Sequence, residues 1–180
     1  MQTMHQGGVF STRALDRESS EALGLIGMHN HVIESLGLIS GVTHTEFIKA
    51  RSDGGFYFLE TAARVGGAQI AEVVEFASGI NPWVEWARME VCALFHMEYA
   101  LPRPKQLYAG SVICLARQEQ PDTSGYNAPE IVWRLNKHHH AGLIVCASSA
   151  ERVETLVQQY SDRFLQEFCA VEPPPDKPTS

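Results

Sequence analysis

Among 180 residues, Glu46, Glu60, Arg64, Gly66 and Gly67 stand out by type and spacing as able to do chemistry together. Val42 to Ala50 and Phe56 to Thr61 read as two strands around Arg51-Ser52-Asp53-Gly54-Gly55, a turn whose glycines can take positive φ. With a three-residue loop from Ser52 to Gly54 centred on Asp53, residues equidistant from Asp53 oppose each other, which sets Glu46 against Glu60. Directly opposed side chains share a sheet face with Cβ atoms about 4.5 to 5.5 Å apart, where two carboxylates repel. Either one of them holds a proton and has a raised pKa, or a divalent cation lies between them, or the register is off and they are solvated apart. Phe47, Ile48, Phe56, Tyr57, Phe58 and Leu59 make simple solvation the least comfortable of the three. Arg64 follows Glu60 by four, and Gly66-Gly67 leads into a helix expected to begin near Ala68. A guanidinium beside a glycine-flanked helix N-terminus suits an anion such as phosphate, because the first amides of a helix have no internal partners.

The elements that must position these residues follow from periodicity. Val9 to Arg13 is short and extended after Gly7-Gly8. From about Asp16 a helix runs with Leu23, Ile26, Ile33 and Leu36 on one stripe, and Gly37 ends it. Gly24 and Gly27 inside that stripe weaken the helix, which implies close approach of a neighbouring backbone there. A second helix spans about Ala68 to Ser78, and a third opens at Asn81-Pro82 and runs to about Tyr99. Leu101-Pro102-Arg103-Pro104 breaks the helix and begins a second structural unit. Strands near Tyr108 to Arg117, Glu130 to Leu135 and Gly142 to Cys146 follow. The last helix is opened by the capping box Ser148-x-x-Glu151 and buries Val153, Leu156, Val157, Tyr160, Phe164 and Phe168. The expected division is residues 1–100, then 101–170, then a Pro-rich disordered tail, 171–180.

Composition narrows the partners. With 44% hydrophobic and 19% charged residues the chain is an ordinary globular protein, and its net charge of -7 leaves no basic surplus for a phosphate backbone or an anionic membrane. Nucleic acid and membranes are therefore not expected partners. No apolar run approaches the roughly 20 residues that span a bilayer, and Met1 to Phe10 lacks a signal-peptide profile, so a cytoplasmic location is expected. Cys92, Cys114, Cys146 and Cys169 are far apart in apolar stretches, which suits reduced core thiols.

The stretch Gly41-Val42-Thr43-His44-Thr45-Glu46-Phe47, followed by Phe58-Leu59-Glu60-Thr61-Ala62-Ala63-Arg64-Val65-Gly66-Gly67, resembles the closing segment of the ATP-grasp superfamily, particularly its carboxylate-amine ligases. Gly7-Gly8-Val9-Phe10-Ser11-Thr12-Arg13 and Leu36-Gly37-Leu38 fall in the right order for the same segment, so the likeness covers about residues 5 to 98. Residues 108 to 170 look like the extra C-terminal module some of these ligases carry. The resemblance implies an α+β fold: a mainly antiparallel sheet with packed helices, like the C-terminal ATP-grasp subdomain, followed by a smaller α/β module. It implies that Glu46 and Glu60 hold Mg²⁺ against the phosphates of ATP, that Arg64 stabilises charge on the transferring group, and that Gly66 and Gly67 let substrate approach the backbone. Two residues after the second acid the family often has Asn as a further metal ligand, and this chain has Ala62. The implied reaction joins a small-molecule carboxylate to an amine through an acyl phosphate. The family's phosphate-binding lysines lie upstream of the first acid, whereas the lysines here are Lys49, Lys105, Lys137 and Lys177. The resemblance therefore implies a site completed by a separate N-terminal ATP-grasp half, with a homo-oligomer as another possible assembly. The competing expectation is a non-catalytic ligand- or partner-binding module derived from such an enzyme.

Other features are weaker. His138-His139-His140 cannot all reach one metal from a strand, because consecutive side chains alternate faces. His44 precedes Glu46 by two and so shares its face, where it could orient that carboxylate. Trp83 and Trp86 at helical spacing signal packing, Cys92 with His96 has no third group to make a nucleophile, and Glu119 to Glu130 reads as a long loop.

Overall fold

In chain order the computed structural model, which describes residues 8–170, places β1 (Val9–Arg13), α1 (Ser20–Ser35), β2 (His44–Lys49), β3 (Phe56–Ala62), α2 (Ile70–Ser78), α3 (Pro82–Leu94), β4 (Tyr108–Leu115), β5 (Ile131–Arg134), β6 (His140–Ala147) and α4 (Ala150–Glu167). Gly7 and the expected disordered tail 171–180 lie outside the described residues. The fold is α+β with antiparallel pairing in both sheets, one ordered β1-β4-β6-β5 and the other made of β2 and β3. The chain divides into two units, one of Leu15–Lys105 and the other joining the stretch up to Ala14 to the stretch from Gln106 onward. The N-terminal strand thus belongs with the C-terminal segment, because Val9 to Arg13 pairs residue for residue with Cys114 to Gly110. None of the helices among the described residues is long and apolar enough to cross a membrane.

In the unit of Leu15–Lys105, α1 begins where the Ser19 hydroxyl accepts from the Ala22 amide at 3.2 Å and ends at Leu36, followed by Gly37 at φ +65°. No residue of α1 is buried, and a Cβ on Gly24 or Gly27 would meet nothing within 4 Å, so among the described residues no backbone makes the close approach expected there. The start of α3 is fixed by Asn81, whose Oδ1 accepts from the amides of Trp83 (3.0 Å) and Val84 (3.2 Å). This helix stops at Leu94 rather than near Tyr99. His96 takes the left-handed conformation (φ +54°), so that its amide donates to the Ala93 carbonyl at 3.3 Å and that of Met97 to the Cys92 carbonyl at 2.8 Å. The chain then returns along the helix, where the Tyr99 hydroxyl (3.0 Å) and the Arg88 guanidinium (2.7 Å) both donate to the buried Glu85 carboxylate.

In the other unit α4 lies on the four-stranded sheet and supplies the buried Val153, Leu156, Val157, Tyr160 and Phe164, the face its spacing predicts. Its cap is Ser149, one residue later than expected, with the hydroxyl accepting from the Arg152 amide at 3.3 Å. The long loop before β5 is docked rather than free. Tyr126 is buried and donates to Glu167 at 2.9 Å, Arg163 stacks over its ring at 3.9 Å, and Arg134 donates to the carbonyls of Thr123 and Tyr126.

All four cysteines are free, and Cys114 and Cys169 are buried in the same core. Burial, reinforced by the neighbouring Cys169 thiol, pushes the Cys114 thiol up to about 12. A thiol whose pKa is raised on folding contributes stability that is complete below its unfolded value and is lost as pH climbs toward the folded one. Denaturation midpoints are therefore expected to fall between about pH 9 and 12, more steeply in the wild type than in Cys114→Ala; equal slopes would assign the alkaline loss to other groups.

Candidate functional site

The hairpin brings the two acids into direct opposition: Glu46 pairs with Glu60. It does so by a different route from the one the sequence predicts. Nearer the turn the register is shifted by one, with Lys49 opposite Phe56, Ile48 opposite Tyr57 and Phe47 opposite Phe58, and a bulge that leaves Leu59 as the extra residue restores the Glu46–Glu60 pairing. Asp53 sets the turn. Its carboxylate accepts from the Gly55 amide at 2.8 Å and the Tyr57 hydroxyl at 2.7 Å, while the Ala50 amide donates to the Gly55 carbonyl at 2.8 Å and Gly54 takes φ +70°. The Tyr57 and Gly55 donors hold the Asp53 carboxyl below the usual carboxylate range. Lys49 at the end of β2 pairs with Glu21 in the first turn of α1, which ties the hairpin to that helix.

Side chains alternate as the pleat requires. The Thr45 and Thr61 hydroxyls meet at 2.7 Å on one face, leaving His44, Glu46 and Glu60 on the other. His44 Nδ1 lies 3.6 Å from Glu46 Oε1, on the face that their spacing predicts they share. His44 also stands directly opposite Ala62. Glu60 is exposed and Glu46 half-exposed, so a cation between them would be reached from solvent.

Gly66 is packed tightly against this cluster. A Cβ there would come within 2.9 Å of Ile70 Cγ2 and 3.0 Å of His44 Cδ2, whereas one on Gly67 would meet nothing within 4 Å. Gly66→Ala is therefore expected to displace the His44 ring and to cost about 1–3 kcal/mol, while Gly67→Ala stays within about 0.5 kcal/mol of the wild type. Denaturant titration of the two variants checks this asymmetry, and equal losses would contradict it. Between Gly67 and the helix the chain makes a left-handed turn through Ala68 (φ +51°) and Gln69 (φ +60°), and the Ile70 amide donates to the Gly67 carbonyl at 2.9 Å. That turn starts α2 at Ile70, two residues after the expected start. Arg64 is exposed and donates to the carbonyl of Val65 at 3.1 Å, and among the described residues it forms no ion pair with Glu46 or Glu60.

The sequence points to the acid pair and to His44, while the Leu59 bulge and the left-handed Ala68–Gln69 turn carry no signal in residue type. The three consecutive histidines stay apart: His140 Nδ1 faces the His138 carbonyl at 2.8 Å, and His138 Nδ1 lies 3.4 Å from Glu119. No group of three or more His, Cys, Asp or Glu side chains among the described residues could hold a metal ion by itself. Two opposed carboxylates without a third ligand do not make an all-protein cage. They fit the donor set of Mg²⁺, which keeps several waters and is held through one or two carboxylates together with substrate phosphates.

No family model and no curated protein matches the sequence. Among solved structures the chain is similar to an L-amino acid ligase from Bacillus licheniformis, with a TM-score of 0.61 and 18% identity over 92% of this chain and 44% of that one. It is also similar to a phosphoribosylglycinamide synthetase from Anaerococcus prevotii, with a TM-score of 0.57 and 13% identity over 90% of this chain and 45% of that one. The chain thus spans less than half the length of each of these two structures. What the chain shares with both is the fold.

Proposed function

We propose that the chain is the C-terminal part of an ATP-grasp ligase, in which Glu46 and Glu60 bind Mg-ATP for the joining of a carboxylate to an amine. The observation that carries this is the register of the hairpin, in which a bulge opposes two like charges that the register nearest the turn, continued, would have put on opposite faces. Mg²⁺, when bound, supplies the positive charge that draws the phosphates to the two carboxylates. A carboxylate oxygen of the first substrate attacks the γ-phosphorus, ADP leaves, and the amine then attacks the acyl phosphate and expels inorganic phosphate. Arg64 would turn from the Val65 carbonyl toward the developing negative charge, and Gly66 and Gly67 would leave the backbone open to the acceptor. Ala62 offers no ligand where the family often has Asn, and His44, facing it across the ladder, is the polar group that can hold Glu46 in place.

Completing the site falls to the rest of the ATP-grasp fold, as a separate N-terminal half or as further chain. The unit of Leu15–Lys105 has apolar surface for such a neighbour: Leu94, Phe95 and Met97 are 72%, 66% and 61% exposed. Supplied with a polypeptide carrying that remainder, the chain is expected to release ADP only with Mg²⁺, carboxylate and amine all present, and Glu60→Gln is expected to abolish this. Unchanged turnover in the variant would sink the assignment. Arg64, exposed and donating to the carbonyl of its neighbour Val65, favours a second reading, a non-catalytic binding module, and for such a module no ADP would appear in any combination.

A further inference from the structure

We propose that Gly66 and His44 act together as a positioning device for Glu46: the glycine seats the imidazole ring, and the seated ring holds the carboxylate where it faces Glu60. This rests on the ligase reading and gives Gly66 a task apart from the acceptor. His44, Glu46, Glu60 and Ala62 share one face of the hairpin, with Glu46 opposite Glu60 and His44 opposite Ala62. Ala62 offers no donor, and among the described residues His44 is the side chain that comes within ion-pair distance of Glu46. Repulsion between the opposed acids acts on a flexible Glu46 side chain, 43% exposed, which unheld would swing into water. A hydrogen bond to one carboxylate oxygen keeps it in place and leaves the other oxygen for a cation.

The other edge of the ring fixes its orientation. An imidazole carries Nδ1 and Cδ2 on opposite sides of Cγ. In His44, Nδ1 lies 3.6 Å from Glu46 Oε1 while the Cδ2 edge lies against Gly66, where a Cβ would come within 3.0 Å of it. Ile70 Cγ2, which would be 2.9 Å from the same Cβ, closes the remaining space. Turning the ring over would point carbon at the acid and take the nitrogen away from it. The seat therefore depends on the missing Cβ of Gly66, whereas Gly67 has no such neighbour within 4 Å. A separation of 3.6 Å is longer than a hydrogen bond, and a small rotation of the half-exposed carboxylate closes it, as contacts at such sites tighten when ligand binds.

The test is calorimetric titration of the chain with ADP, in excess Mg²⁺ and in excess chelator, for His44→Phe and His44→Asn. Phe keeps a ring against Gly66 and lacks the nitrogen, whereas Asn loses the ring and places an amide N–H where Nδ1 stands, so a packing role and a positioning role predict opposite results. The Phe variant is expected to lose about tenfold of the Mg²⁺-dependent tightening and the Asn variant no more than about twofold, with ADP binding in chelator unchanged in both. A second measurement uses neither metal nor nucleotide: ¹⁵N spectra of the histidine rings in alkaline buffer, where His44 is expected to carry its proton on Nδ1 and its signal to move in Glu46→Gln and in Gly66→Ala. A Phe variant that keeps the Mg²⁺ effect, an Asn variant that loses as much of it as Phe, a proton on Nε2, or a ring signal that ignores Glu46→Gln would each overturn the proposal. Mg²⁺ without effect on wild-type ADP binding would instead remove the ligase reading, and the ring spectra would still decide whether Gly66 and His44 hold Glu46.

Discussion

Glu60→Gln is expected to make the protein more stable and less able to respond to a divalent cation at the same time. Like charges directly opposed across an antiparallel ladder are destabilising on the order of 0.2–1 kcal/mol, and Gln removes the repulsion while keeping the shape of the side chain. Glu60 lies opposite Glu46 and is exposed, so little else changes on substitution. In the wild type, a cation that binds the folded hairpin and not the unfolded chain raises stability by mass action, about 2.7 kcal/mol at a hundred times its dissociation constant. The variant, left with one carboxylate, loses most of that gain. Denaturant titrations of both proteins with and without Mg²⁺ plus ADP check the two effects together. A variant that is stabilised in the absence of Mg²⁺ but still responds to it like the wild type would mean the pair is two surface acids and nothing more.

The largest loss of stability is expected from Gly110→Val. Gly110 lies in β4 between β1 and β6, opposite Arg13 on one side and Val145 on the other. A Cβ there would approach Val157 Cγ2 at 2.7 Å, the Thr12 carbonyl oxygen at 2.9 Å and Val153 Cγ1 at 3.0 Å. The two valines belong to the buried face of α4 and could retreat only by lifting that helix, and the Thr12 oxygen is backbone held in the β1–β4 ladder. Overpacking of this kind costs about 1–3 kcal/mol for a methyl group, and the branched side chain of Val is expected to reach or exceed the top of that range. Thermal melting should show this unit lowered well below the wild type, with Gly110→Ala in between. A Val variant that melts with the wild type would contradict the close packing of α4 on β4.

How much of this was legible in the sequence depends on the kind of signal each element carries. The amphipathic spacing of Val153, Leu156, Tyr160 and Phe164 defines both the existence and the buried face of α4, because a helix that packs on one side must repeat near every 3.6 residues. The opposition of Glu46 and Glu60 was readable from symmetry about Asp53, although the register nearest the turn was not. A bulge at Leu59 compensates a one-residue shift, and neither has a compositional mark. The start of α2 was misplaced because Ala and Gln favour helical dihedrals, and nothing in their identity announces the left-handed turn they adopt here. Asymmetry within Gly66-Gly67 is likewise invisible in the letters: one glycine is pressed between Ile70 and His44, and the other faces open space. The pairing of β1 with β4 joins residues about a hundred positions apart, which local periodicity cannot reveal.

Two opposed carboxylates acting as one site for a cation and phosphates is the central claim, and calorimetric titration of the chain with ADP, in excess Mg²⁺ and again in excess chelator, tests it most directly. Mg²⁺ is expected to tighten ADP binding at least tenfold in the wild type and to have no such effect in the Glu46→Gln, Glu60→Gln double variant. ADP binding that is the same with Mg²⁺ and with chelator, or a Mg²⁺ effect that survives in the double variant, would contradict it.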